Sequence, residues 1–158
     1  MPAMASADRR AGPPPVTDDR VGPVARGAPE PDHRRMAVRV LIVDDHAPFR
    51  ALARMLLVAD GFEVVGEAGD GADALCASQR LRPDVVLLDV QLPGVDGFGV
   101  AEALSTHAPA PVVVLVSSRS RTDYGHRVAD SVARGFIAKA ELSGDALRSV
   151  LDEGQRAS

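Results

Sequence analysis

Residues 85–97 read VVLLDVQLPGVDG. The four residues 85–88 are apolar without exception, too few for a helix, and sit between Pro83 and the Pro93-Gly94 turn. A run with no polar face is the mark of a strand covered on both sides, as in a parallel sheet. Asp89 ends that run. After the turn, a helix is expected over residues 97–106.

The same strand-helix unit recurs in both directions. Residues 38–43 (VRVLIV), 62–66 (FEVVG), 112–116 (VVVLV) and 135–138 (GFIA) read as four more strands. Pro48 opens a first helix in which Phe49, Leu52, Ala53 and Leu56 repeat at helical spacing, and Gly61 breaks it. Asp70 caps a second helix with Ala74, Leu75, Ser78 and Leu81 on its inner side, and Pro83 stops it. A fourth helix over residues 122–133 contains Gly125 and leans on Val128, Ala129 and Val132. An interior glycine costs about 1 kcal/mol relative to alanine, so this helix is expected to be marginal. Ser143 caps a last helix with Ala146, Leu147, Val150 and Leu151 facing inward. Five βα units with apolar strands predict an α/β domain of three layers, doubly wound around a five-stranded parallel sheet.

The flanks differ from this pattern. Residues 1–36 hold seven of the 12 prolines, many arginines and almost no large apolar side chain. Such a stretch buries too little surface to offset its ordering entropy, so it reads as a disordered tail. Met36 opens MAVRVLIVDD and would also serve as a start, which leaves two readings, a flexible arm or a misassigned start. The domain is set at residues 37–154, with 155–158 as a short C-terminal tail. The net charge of −4 argues against a general nucleic-acid binder. The single cysteine, Cys76, allows no internal disulfide and is read as a small buried residue. No apolar run approaches the ~20 residues of a membrane span, and no secretory leader is evident, so a cytoplasmic location is expected. His33, His46, His107 and His126 show no metal-ligand spacing.

In doubly wound folds ligands bind at the carboxyl ends of the strands. Strand one ends in Asp44-Asp45, strand three in Asp89, strand four in Ser117 followed by Ser118, and strand five in Lys139. Taken singly, the acidic pair reads as a helix cap, Asp89 as a turn residue and the serines as backbone caps. Jointly, they place a group able to bind a metal or an oxyanion at every strand end but the second. Lys139 is the one lysine among 18 lysines and arginines. A compact ammonium suits a phosphate oxygen in a tight site better than a guanidinium fork does.

LIVDD, VVLLDVQLPGVDG, VVVLVSS and GFIAK, in that order, resemble the receiver domain of bacterial two-component response regulators, over residues 37–154. The resemblance implies a flavodoxin-like (βα)5 fold with strand order 2-1-3-4-5. That order puts the four polar strand ends side by side. Crowded carboxylates repel one another, and a hard divalent cation relieves them. The resemblance therefore implies Mg²⁺ held by Asp45, Asp89 and the backbone carbonyl of Gln91, with Asp44 acting through water. It makes Asp89 the phosphoacceptor, served by a sensor histidine kinase or a phosphotransfer protein. Lys139 and Ser117 would bind the phosphoryl oxygens, and Phe136 would be the aromatic that turns inward.

Further expectations follow from the resemblance. No activity is expected beyond the chain's own phosphoryl transfer and dephosphorylation. Ala140 stands where many relatives have proline, so no cis bond is expected after Lys139. Arg119 and Arg121 read as solvated. With no helix-turn-helix following residue 154, a stand-alone switch is expected, acting through a protein partner or its own dimer and not on DNA. The alternatives are a binding module that works without phosphorylation and an aspartate-nucleophile hydrolase. The hydrolase would need an acid/base carboxylate where Gln91 stands.

Overall fold

The computed structural model describes residues 37–157; the tail read over residues 1–36, and Ser158, lie outside the described residues. Five strands, β1 (Arg39–Val43), β2 (Glu63–Ala68), β3 (Val85–Asp89), β4 (Val112–Ser117) and β5 (Gly135–Ala138), form one parallel sheet in the order β2-β1-β3-β4-β5. Strand alternation sorts the apolar side chains into two layers. Leu41, Val43, Val86, Leu88 and Leu115 face one way, toward α2 (Gly71–Leu81) and α3 (Gly97–Ser105). Val40, Ile42, Leu87, Val114 and Val116 face the other way, toward α1 (Ala47–Ala59) and α5 (Gly144–Ala157). β3 is buried at all five positions, as its unbroken apolar run requires.

The helix ends follow local chemistry. Asp70 accepts from the Asp73 amide at 2.8 Å and caps α2. Arg82 then turns left-handed (φ 51°), which stops α2 one residue before Pro83. Asp96 accepts from the Gly99 amide at 3.0 Å and caps α3. Ser143 accepts from the Ala146 amide at 3.0 Å, and Asp60 reaches from the end of α1 to take the Gly144 amide at 2.8 Å, so α5 is held by two caps. The cis peptide of the described chain is Ala108–Pro109; the bond after Lys139 is trans, as expected.

Three expectations need correction. α1 buries Ala53 and Leu57, with Phe49 and Leu56 half-buried, and Leu52 points outward because the helix is rotated toward Leu57. Cys76 is exposed: α2 turns Gly71, Ala74, Ala77 and Ser78 inward, and residue 76 falls on the opposite face. The expected fourth helix is two pieces, a 3₁₀ turn (Arg121–Tyr124) and a one-turn α4 (Arg127–Asp130), separated by Gly125 at φ 60°. Gly125 is the break itself, and Ala129 and Val132 are exposed, leaving Val128 as the anchor. Among the described residues, no helix is long and apolar enough to cross a membrane.

Candidate functional site

The strand order brings the four polar strand ends to one edge. β1, β3, β4 and β5 lie side by side, with Val43 beside Leu88, Asp89 beside Val116 and Ser117 beside Ala138. Ligating atoms of Asp44, Asp45, His46 and Asp89 all fall within 4.8 Å of one another. Asp44 and Ser117 are fully buried and Asp89 nearly so, while Asp45 and His46 face solvent. Gly97 makes this packing possible. Its amide donates to the Val90 carbonyl at 2.6 Å, and a Cβ there would strike the Asp89 carbonyl and come within 2.7 Å of Val90 Cα.

One ammonium faces the three carboxylates and offsets part of their charge. Lys139 Nζ lies 2.6 Å from Asp44 Oδ2, 3.5 Å from Asp89 Oδ2 and 4.5 Å from the centre of the Phe49 ring. The short contact is an ion pair without the alignment of a hydrogen bond, so the buried Asp44 Oδ2 keeps an unused lone pair. Asp44 Oδ1 accepts from the His46 amide at 2.8 Å, and Asp89 Oδ1 from the Gln91 amide at 3.1 Å. Burial raises the Asp89 carboxyl above its ordinary range and the Asp44 charge adds to this, against the Gln91 amide and Lys139. Arg50 donates to the Asp44 carbonyl at 2.6 Å and pairs with Glu67, tying α1 and β2 to the β1 end.

This donor set is hard: three carboxylates with ligating oxygens within 4.8 Å of one another, faced by a single ammonium. It suits a hard divalent cation. His46 was missed from spacing, yet its Nδ1 lies 3.2 Å from Asp45 Oδ1 and 3.3 Å from Asp44 Oδ1. Its position directly after the acidic pair was the available signal.

Ser117 is engaged away from the carboxylates. Its Oγ accepts from the Arg119 amide at 3.0 Å and lies 2.6 Å from the hydroxyl of Tyr124. The Tyr124 ring meets Phe98 edge-on at 5.9 Å and Phe136 at 6.0 Å. Phe136 is half-buried in this cluster. Ser118, Arg119 and Arg121 are exposed, and Arg119 borders a groove with Gln91, Asp123, Tyr124 and Arg127. Tyr124 was not singled out from the sequence, although it is the only tyrosine in a chain with 3% aromatics.

Residues 40–152 match the response regulator receiver domain family. A protein-glutamate methylesterase/protein-glutamine glutaminase of Anaeromyxobacter dehalogenans is 46% identical over 112 residues, 70% of this chain and 32% of that protein. The DNA-binding transcriptional activator EvgA of Escherichia coli is 35% identical over 104 residues, 66% of this chain and 51% of that protein. This chain thus spans about half the length of those relatives or less. The signal receiver domain of the response regulator NarL from Mycobacterium tuberculosis superposes with a TM-score of 0.66 at 35% identity, covering 75% of this chain and 97% of that one. With the family match over most of its length, and the 2-1-3-4-5 sheet with an acidic edge, the chain belongs to the response-regulator receiver family of two-component systems.

Proposed function

We propose that this chain accepts a phosphoryl group on Asp89 from a phosphohistidine of a sensor histidine kinase or phosphotransfer protein, and signals through protein contacts. The observation that carries this reading is the convergence of Asp44, Asp45 and Asp89 within 4.8 Å, with Lys139 reaching two of them. An Asp89 carboxylate oxygen attacks phosphorus, an O–P bond forms, the N–P bond breaks, and the donor imidazole leaves with a proton. Lys139 shifts its ammonium from Asp44 toward the phosphoryl oxygens. Ser117 donates to another of them, and Phe136 follows inward. Asp45, Asp89 and the Gln91 carbonyl would hold Mg²⁺, with Asp44 through water, and the ion would neutralise developing charge on the phosphoryl oxygens.

A protein donor fits the rim of the site. α1 starts two residues after Asp45, and its outer face exposes Leu52 (44%), Met55 (62%) and Val58 (52%). Apolar surface beside a charged pocket suits docking of another macromolecule. The output is a downstream protein or a second copy of the chain, in the cytoplasm. No activity beyond its own phosphoryl transfer and dephosphorylation is assigned.

Incubation with acetyl phosphate and Mg²⁺, read by intact mass, tests this. One phosphoryl adduct is expected on the wild type, dependent on Mg²⁺ and absent from Asp89→Ala. Absence of both an adduct and beryllofluoride binding in the wild type would favour a module that binds without phosphorylation.

A further inference from the structure

The Ser117 hydroxyl has two lone pairs and one proton. The Arg119 amide fills one lone pair, and the Tyr124 hydroxyl at 2.6 Å takes up the proton or the other lone pair. Ser117 is fully buried and Tyr124 half-buried. A hydroxyl so engaged cannot move to a phosphoryl group on Asp89 without lengthening the contact with Tyr124.

Tyr124 is itself held on both sides. Its ring packs between Phe98 of α3 and Phe136 of β5. Arg127 stacks over Phe98 at 4.3 Å and pairs with Asp96 at 2.9 Å. Asp96, Phe98 and Arg127, together with Glu102, His126 and Asp130, line a surface groove of ≈ 370 Å³ between α3 and α4. Tyr124 lies immediately before Gly125, where φ is 60° and a Cβ would meet nothing within 4 Å. Space therefore surrounds residue 125, and its positive φ is what calls for glycine there.

We infer that Tyr124 is a positioning residue that holds Ser117 in the unphosphorylated state and, on release, carries the change from the acidic site to the α3–α4 groove. This rests on reading Ser117 as a phosphoryl ligand. The hydroxyl comes from the β4–β5 connection, whereas the β5 aromatic, Phe136, has none. Loss of the Tyr124 hydroxyl removes a contact made only in the resting arrangement, so it shifts the population toward the phosphoryl-facing one.

The chain carries one tyrosine and no tryptophan, so its intrinsic ultraviolet emission reports Tyr124 alone. Beryllofluoride with Mg²⁺ is the probe, its binding followed by fluorine NMR and its effect by tyrosine emission. Binding should change the emission of the wild type. In Ser117→Ala the emission should start at the changed value and stay there. Tyr124→Phe, which keeps both ring contacts, should bind beryllofluoride about fivefold more tightly, the weight of one net hydrogen bond. In the Ser117→Ala background the same substitution should have no effect.

Binding that leaves the tyrosine signal unmoved would overturn the inference while leaving the phosphoacceptor reading intact. An equal effect of Tyr124→Phe with and without Ser117 would do the same, since a merely structural tyrosine acts independently of Ser117. No binding at all would overturn both. Should Tyr124→Phe fail to fold, the emission of wild type against Ser117→Ala still decides.

Discussion

The β3–β4 and β4–β5 crossovers have the same task and are built differently. Between β3 and β4, α3 is a regular helix of nine residues, capped by Asp96, with Gly97, Val100, Ala101 and Leu104 buried. Between β4 and β5 the chain makes a 3₁₀ turn with no buried residue, a glycine hinge and a four-residue helix with only Val128 buried. One is held by apolar burial, which is cooperative and insensitive to small shifts. The other is held by directed contacts: the Tyr124 hydroxyl, two ring contacts, and the capping box of Ser120 and Asp123. The regions of a protein that move are drawn from its low-stability end. The second crossover is also the one that follows Ser117, so the arrangement puts the weak element beside the residue expected to move.

The largest test is a pair of truncations. Leu104→Ala should cost about 2–5 kcal/mol of unfolding free energy, as for other buried leucines. Val128→Ala should cost about 1–2 kcal/mol, since it removes less apolar volume from a thinner layer. Denaturant melts of both variants check this, and equal losses would erase the distinction between the crossovers. Native-state hydrogen exchange sharpens it: amides of α3 should exchange only through large openings, and those of Arg121–Tyr124 and Arg127–Asp130 through smaller ones.

Asp96 joins the two regions, since Oδ1 caps α3 and Oδ2 takes Arg127 of α4. Asp96→Ala should cost about 1 kcal/mol. Asp96→Asn keeps a capping oxygen, so it should leave α3 nearly unchanged and speed exchange in α4. If α4 exchange were the same in both variants and the wild type, the link through Arg127 would carry no weight.

The smallest effect is on the pH profile of stability without metal, and it has opposite signs at two carboxylates. The Gly99 amide holds Asp96 below its ordinary value against some opposing burial, and Arg127 adds to this. Its contribution is therefore present above the ordinary aspartate value and lost as pH falls through the lowered one. Solvent screening keeps it small, because Asp96 is half-exposed. Asp89 is raised by burial, so the folded state binds more protons there than the unfolded state. Stability then falls as pH rises from the ordinary value through the raised one. Asp89→Asn should remove that fall, and Asp96→Asn should remove the loss in acid, both read from melts across pH.

What the sequence revealed, and what it hid, follows the same division. Asp44, Asp45, Asp89, Ser117 and Lys139 were legible because each ends an apolar run, and strand alternation carries that signal in one dimension. α2 and α5 were legible from Asp70 and Ser143, whose caps act within three residues. The order of the strands came from a family resemblance and not from the runs themselves. The β4–β5 connection was misread because Gly125 weakens a helix and breaks one with the same letter, and only its positive φ tells the two apart. Tyr124 escaped because its contact with Ser117 is made through the fold of the β4–β5 connection, and His46 because it meets the acidic pair just before it and shows no ligand spacing of its own. Leu52 and Cys76 were placed on the wrong faces because helical phase is set by which small residues let the helix approach the sheet.

The central claim is that Asp89 receives the phosphoryl group. Borohydride reduction of the acetyl phosphate-treated protein, followed by peptide mapping, tests it most directly, because an acyl phosphate is reduced to an alcohol and a serine ester is not. The account predicts homoserine at position 89 alone, dependent on Mg²⁺. Reduction at Asp44 or Asp45, or a stable adduct on Ser117 with residue 89 unchanged, would contradict it.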